Sequence, residues 1–214
     1  AKPTTGGVAI FLTLIIGGII FLFLTTTPIS TWTYRLIFAT FIAFAMGYYD
    51  DTSSVRPFYK LIFQLVCAML VVDETHAFTF FEDLTFLNQI ISIIWVVGLM
   101  NALNMLDNMD AVSGGVGGII SFGLGILSFL VIGEWTFIPL MLITLGCTMF
   151  GFLLLNWHPS KVYMGDSGSM ALGLVLAAGS LHVVGLQSQA PTYIKVISLV
   201  LFFAIPLLDT TLVT

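Results

Sequence analysis

Long apolar runs set the first limit on what this chain can fold into. A bilayer hydrocarbon core about 30 Å thick takes roughly 20 apolar residues of helix to cross. Eight runs approach that length, at roughly 7–24, 33–49, 58–72, 87–106, 113–132, 137–156, 169–186 and 193–210. They are continuous rather than alternating, which argues against a membrane β-barrel. Only 8% of the 214 residues are charged and 58% are hydrophobic, whereas a soluble domain carries about a quarter charged residues. The expected fold class is all-α, a polytopic helical membrane protein with residues 1–214 in a single transmembrane domain. Neither a repeat nor an inverted pair of halves is visible. Cys67 and Cys147 lie inside apolar runs and read as packing residues. A net charge of −5 spread over loops offers no nucleic-acid surface. The start reads like the middle of a loop and the end stops without a cap, so a fragment trimmed at both ends is expected.

Eight passes bring both ends to one side, here side A, together with loops 50–57, 107–112 and 157–168. Side B receives 25–32, 73–86, 133–136 and 187–192. Lys2, Arg56, Lys60 and Lys161 fall on side A, against Arg35 and Lys195 on side B. The excess of basic residues makes side A cytoplasmic. Loop 73–86 holds Asp73, Glu74, Glu82 and Asp83 and reads as a solvated acidic loop or a small interfacial hairpin. His76 within it has no evident partner.

Polar chemistry gathers on side A. The segment Asn101-Ala-Leu-Asn104-Met-Leu-Asp107-Asn-Met-Asp110 follows the apolar run Ile90 to Met100. Steps of three fall about 60° short of a helical turn, so Asn101, Asn104 and Asp107 fan over roughly a third of one helix surface. Such residues are poor helix formers and costly near lipid. A plain polar helix end leaving the bilayer would look similar. Asp50 and Asp51 end the second span, where carboxylates oppose the helix dipole. Pro57 suits a first helical turn, and Lys60 follows it. Asn156 to Asp166 joins spans six and seven, and Asp209 sits at the end of span eight. Clustered aspartates need a cation. Oxygen ligands without a His or Cys cluster suit Mg²⁺ or Mn²⁺, and Lys and Arg suit phosphate. Ser-Gly-Gly at 113–115 and Met-Gly-Asp-Ser-Gly-Ser at 164–169 place small residues at helix starts, where free N–H groups bind anions. Together these point to phosphoryl chemistry on a lipid at a membrane face.

Four motifs then carry a resemblance: Pro3-Thr4-Thr5-Gly6-Gly7, Gly47-Tyr-Tyr-Asp50-Asp51, Asn101 to Asp110, and Lys161-Val-Tyr-Met-Gly165-Asp166-Ser-Gly168-Ser. In this order they resemble the polyprenyl-phosphate N-acetylhexosamine-1-phosphate transferases, of the glycosyltransferase family 4 type. The family includes bacterial enzymes that start peptidoglycan, teichoic acid and surface polysaccharide synthesis. The resemblance implies transfer of sugar-1-phosphate from a UDP-N-acetylhexosamine to undecaprenyl phosphate, with release of UMP and a requirement for Mg²⁺ or Mn²⁺. It implies a bacterial inner-membrane protein with its site on the cytoplasmic face, and a ten-helix fold of which this chain would hold eight.

The same resemblance assigns roles. Asp166 is similar to the metal-binding aspartate. Asp50 and Asp51 match an aspartate pair, with Asp50 contacting or deprotonating the lipid phosphate and sharing the metal. Lys60 matches a phosphate-holding lysine. Asn104, Asp107 and Asp110 match the nucleotide-sugar segment, with Asp107 as the uridine contact. Asn156 and Tyr163 match residues lining the nucleotide pocket, where Tyr163 would stack on uracil. Lys2 lies in the substrate-facing first loop and matches poorly. The Pro-Leu-Leu-Asp209 segment looks more like the N-acetylglucosamine branch than the peptidoglycan branch, which favours UDP-N-acetylglucosamine over a UDP-muramoyl-pentapeptide donor. Residue 111 is Ala where the family usually has Gly, which bears on the turn after Asp110. The family's later histidine-rich loop would fall beyond Thr214, and His158 and His182 do not stand in its place. Gly114, Gly117 and Gly118 permit close packing within one chain or between two, which leaves a homodimer open. Two rival readings are weaker. An intramembrane aspartyl protease would need Gly at position 163, which is Tyr. A cation-coupled transporter should have helices broken at mid-membrane and repeat symmetry.

Overall fold

The computed structural model describes residues 3–24, 29–81, 83–187 and 191–213. Among these residues there are eight α-helices and no strand: α1 Gly6–Leu24, α2 Thr31–Ser53, α3 Pro57–Val71, α4 Thr85–Leu106, α5 Val112–Ile132, α6 Phe137–Asn156, α7 Gly165–Leu186 and α8 Thr192–Val213. Every expected span is a helix. Six of them are long and apolar enough to cross a membrane. The exceptions are α2, which carries Arg35, Asp50 and Asp51, and α3. The 15 residues of α3 rise only about 22 Å.

Local signals set several helix ends. Ser30 caps α2, its hydroxyl accepting from the Thr33 N–H at 3.1 Å. Pro57 occupies the first turn of α3, where its missing N–H costs nothing. Gly133 closes α5 with a left-handed φ of 79°. Pro206 lies inside α8, and the backbone departs from helical geometry three residues earlier, at Phe203. The helix continues past Asp209 to Val213, so Asp209 lies within α8 rather than ending it.

The centre of the fold is α7. Its apolar span is 83% buried, against 22% for α1 and α8. It packs on α1, α2, α4 and α5. Small residues make this possible. A Cβ at Gly173 would come within 2.6 Å of Met100 Cα on α4, and one at Gly47 within 2.3 Å of the Asp166 carbonyl oxygen. Backbones at such distances admit only hydrogen between them. Gly114, Gly117 and Gly118 of α5 pack within the chain. Gly114 and Gly118 face Phe152, Leu153, Met149 and Phe150 of α6, and Gly117 faces Leu172 of α7.

Side-B contacts join α2, α7, α8 and the 72–84 connection. The expectation of a solvated acidic loop holds for Glu74 and Asp83, which are exposed, but not for apolar residues between them. Ala77 and Phe78 are buried. Ser92 Oγ of α4 accepts from the Phe78 N–H at 2.8 Å, and Asn88 Oδ1 accepts from the N–H groups of Phe80 and Phe81. The connection is thereby folded into the bundle, since its backbone groups find side-chain partners on one face of α4. His76 does have partners. It pairs with Asp73 at 3.0 Å and stacks on Trp32 with ring centroids 3.9 Å apart. His182 of α7 extends the stack, 5.5 Å from each ring. Burial holds the His76 pKa below its ordinary value, against the opposing pull of Asp73. Glu82 and Lys2 lie outside the described residues.

The closeness of α2 to α7 predicts that Gly47→Ala lowers stability by about 1–3 kcal/mol or more, because backbone must move to admit the methyl group. Gly98, in α4, has no atom within 4 Å of a built Cβ, so Gly98→Ala should raise stability by about 0.5–1 kcal/mol. Thermal unfolding of both variants in detergent checks the contrast.

Candidate active site

Helices α2, α3 and α4 meet the start of α7 on side A. Gly-Asp-Ser-Gly is a weak start for a helix, and another helix caps it. Asp51, in the last turn of α2, accepts from the backbone N–H groups of Asp166 at 2.8 Å and Ser167 at 3.2 Å. Its negative charge also meets the positive end of the α7 dipole. Gly165 has a φ of 75°, and a Cβ there would lie 2.7 Å from Asp51 Oδ2. The N–H groups expected to be free for a ligand anion are thus occupied by the chain's own carboxylate. This cap lets α7 begin at Gly165, four residues before the expected start.

With its backbone held by Asp51, Asp166 projects its side chain toward α2 and α3. Lys60 Nζ pairs with Asp50 Oδ2 and with Asp166 Oδ2. Asn104 Nδ2 donates to Asp166 Oδ1 and to Ser169 Oγ, both at 2.9 Å. The other Asp50 oxygen accepts from the Val55 N–H in the α2–α3 turn. The Lys60 and Asp166 side chains remain 25% and 26% exposed, so an incoming group can reach them. Two carboxylates and one ammonium leave this cluster one negative charge in excess.

Asp107 caps the end of α4 and accepts from Ser113 Oγ at 2.5 Å. Burial pushes its pKa up to about 7. Hydrogen bonds from Ser113 and the Gly165 N–H pull it down, and the charges of Asp166 and Asp51 push it further up. Asp110 lies further out. Its Oδ2 accepts from the Ser160 N–H and faces His158 Nδ1, both at 3.1 Å, tying the α4–α5 turn to the α6–α7 loop. The next residue, Ala111, has a left-handed φ of 68°. Alanine therefore holds the conformation that glycine adopts freely, at a cost of about 1–2 kcal/mol.

Asn156, expected at the nucleotide pocket, is 2% exposed. Its Oδ1 accepts from the Ala111 N–H at 2.8 Å and its Nδ2 donates to the Val162 carbonyl at 2.9 Å. Both ends of the amide serve as a strut between two loops. Tyr163 is half-buried beside the cluster. Its backbone pairs with Pro3 and Gly6, both at 3.0 Å, which seats the N-terminal segment on the α7 start. Lys161 is exposed.

The structure therefore brings Asp50, Lys60, Asn104, Asp107 and Asp166 together, sets Asp51 behind Asp166, and keeps Asp110 and Tyr163 at the rim. Sequence reasoning passed over Ser169 and Gln64. Gln64 is 2% exposed and exchanges two amide hydrogen bonds with Asn101, at 2.9 and 3.1 Å. A lone glutamine one turn after Lys60 in an apolar helix was the available signal. For a metal, Asp50 and Asp166 supply hard oxygen atoms at one point. Among the described residues no group of three or more His, Cys, Asp or Glu converges. Two carboxylates, with other positions left to water and phosphate, suit Mg²⁺ or Mn²⁺, while a zinc site would need nitrogen or sulfur ligands.

The sequence pattern described as glycosyl transferase family 4 matches residues 32–184, which hold every residue of this cluster. The chain belongs to glycosyl transferase family 4. It is 29% identical, over 98% of its length, to a probable undecaprenyl-phosphate N-acetylglucosaminyl 1-phosphate transferase of Bacillus subtilis. It is 30% identical, over 85% of its length, to a phospho-N-acetylmuramoyl-pentapeptide-transferase of Listeria monocytogenes. A relative of that second name from Thermotoga petrophila is 29% identical over 97% of the chain. The chain spans 58%, 61% and 66% of the length of these relatives respectively.

Two outcomes test this geometry. Ala111→Gly should raise stability by about 1 kcal/mol, as the left-handed strain is relieved at some cost in chain entropy. Asp107 has a folded pKa near 7, above its unfolded value of about 3.9. The folded state thus holds the extra proton, and stability is full below about pH 4 and falls as pH rises toward 7. Asp107→Asn keeps an acceptor for Ser113 and removes the titration. Its melting temperature should exceed that of the wild type at pH 8, with the gap closing as pH falls to 4.

Proposed function

We propose that this chain forms the catalytic face of a transferase that moves N-acetylhexosamine-1-phosphate from a UDP-sugar to undecaprenyl phosphate, with N-acetylglucosamine as the sugar. The observation that carries the reading is Lys60 held between Asp50 and Asp166 at helix ends on one face of a membrane bundle. The Bacillus relative's name supports the acceptor and the sugar.

The chemistry is displacement at phosphorus. An oxygen of the lipid phosphate bonds to the sugar-bearing phosphorus of the donor. The pyrophosphate P–O bond breaks, and UMP leaves with its electron pair. A phosphate monoester loses its second proton near pH 6, so the acceptor is already a nucleophile at neutral pH. Asp50 takes any residual proton without needing a raised pKa. Lys60 draws the acceptor phosphate in, and Asn104 keeps Asp166 in one rotamer through the shared bond to Ser169. Asp51 fixes the backbone beneath Asp166. Asp107 and Tyr163 meet the uridine. Asp166 and Asp50 would hold a divalent cation. Bound there, such an ion would supply positive charge against the donor pyrophosphate, which Lys60 alone leaves uncompensated.

Side A is the cytoplasmic face in this reading, as the distribution of basic residues implies. A UDP-muramoyl-pentapeptide donor is the second reading, supported by the name and coverage of the Listeria relative.

Protein purified in detergent, given undecaprenyl phosphate, Mg²⁺ and a panel of UDP-sugars, should release UMP with UDP-N-acetylglucosamine. Asp166→Asn and Lys60→Ala should each lower the rate by about 100-fold or more, and chelator should abolish it. UMP with the muramoyl-pentapeptide donor alone selects the second reading. No UMP with any donor from folded protein overturns both.

A further inference from the structure

Asp166 is gripped from two helices. Lys60 of α3 pairs with its Oδ2, and Asn104 of α4 donates to its Oδ1 at 2.9 Å. Gln64 stands one turn after Lys60 on α3, and Asn101 one turn before Asn104 on α4. These two amides bond each other in both directions. Gln64 Nε2 donates to Asn101 Oδ1 at 3.1 Å, and Asn101 Nδ2 donates to Gln64 Oε1 at 2.9 Å. Lys60, Asp166, Asn104, Asn101 and Gln64 thus form a closed ring of side chains across the gap between α3 and α4.

One link of this ring is built to open. An anionic phosphate that draws the Lys60 ammonium away breaks the ion pairs to Asp50 and Asp166. The amide pair carries no charge, so the arrival of an anion leaves it intact. Among the described residues it is then the hydrogen-bonded tie from α3 to α4. The other side-chain bonds to α3, at Cys67 and at the Val71 carbonyl, run to α2. They lie roughly two and three turns beyond Lys60. Gln64 is 2% exposed, so its amide has no water to turn to and keeps to Asn101.

We propose that Gln64 and Asn101 are positioning residues for transfer, keeping the Lys60 ammonium aimed at the acceptor phosphate after Asp50 and Asp166 have released it. This rests on the transferase reading above and assigns to it two residues that act through Lys60. A pair that served packing alone would fail differently. Replacing a buried amide by an apolar group of the same shape is nearly neutral for stability, whereas a misaimed charge at the reacting phosphate slows the chemistry.

The test separates the two. Gln64→Met keeps the volume and removes the pairing, while Asn101 stays exposed and retains its bond to the Val97 carbonyl. Its melting temperature in detergent should shift by no more than about 4 °C. In the UMP-release assay, kcat/KM for undecaprenyl phosphate should fall about 10- to 100-fold. The KM for UDP-N-acetylglucosamine should not change, because Asn104 and Asp107 remain in place on α4. Gln64→Asn alone makes the pair too short and Asn101→Gln alone makes it too long, so each should lose activity as Gln64→Met does. Combined, they transpose the pair and should return kcat/KM to within about threefold of wild type. Unchanged kcat/KM in Gln64→Met, a loss that tracks the melting temperature, or no rescue by the transposed pair overturns the proposal. A second measurement does not need turnover. Lys60 is acetylated with acetic anhydride while farnesyl phosphate is added, and the modified peptide is quantified. Gln64→Met should need about tenfold more farnesyl phosphate than wild type for equal protection. That difference supports the positioning role even if no UMP is formed, a result that would fault only the transferase reading. Equal protection in both proteins, or protection in neither, overturns it.

Discussion

The grip of Asp51 on the start of α7 is the contact from which the rest of the site follows. Asp50 and Asp51 are consecutive, so they diverge on the end of α2. One meets the backbone of Asp166 and the other meets its side chain through Lys60. Two neighbouring carboxylates thereby fix a single aspartate in both position and direction. The arrangement needs α2 and α7 nearly in backbone contact, which the bare Cα of Gly47 provides. Gly7 does the same for α1, since a Cβ there would meet Gly168 N at 2.4 Å. Small residues, a cap and the placing of the Asp166 carboxylate are thus parts of one local solution.

The excess of negative charge gives the cluster its character. Lys60 is shared between two carboxylates, and Asp51 and Asp107 stand just behind them. In a setting of low dielectric such a group is stable only with compensation, from dipole, hydrogen bond or cation. Asp51 has the α7 dipole, and Asp107 has two donors and a raised pKa. Asp50 and Asp166 have Lys60, which is the part of the compensation that a phosphate would compete for. A phosphate that took Lys60 would leave Asp50 and Asp166 without their counter-charge.

What the sequence disclosed follows what carries a one-dimensional signal. Apolar runs gave the eight helices, and polar residues at their ends gave Asp50, Lys60, Asn104, Asp107 and Asp166 on one face. Direction was not legible. Nothing in the string Asp50-Asp51 says that one side chain faces the cleft and the other a helix start. Asn156 and Asn104 look alike in sequence, yet the first is buried as a strut between two loops. The connection 72–84 looked solvated because its acids are conspicuous. Its inward course depends on Asn88 and Ser92, which are unremarkable residues in an apolar helix. His76 found its partners only because Trp32 and His182 come from helices distant in sequence.

The amide pair between Gln64 and Asn101 sets the register of α3 against α4. Each side chain both gives and receives, so the pair is fully satisfied only when the two helices stand at one height. Sliding α3 by one turn, about 5.4 Å, would break both bonds and leave the buried Gln64 amide without its partner, while Asn101 would keep only its bond to the Val97 carbonyl. The short α3 has few other polar features to hold it against such a shift. Gln64 lies one turn beyond Lys60 on that helix, so the pin that fixes the height of α3 also fixes the depth at which the Lys60 ammonium stands.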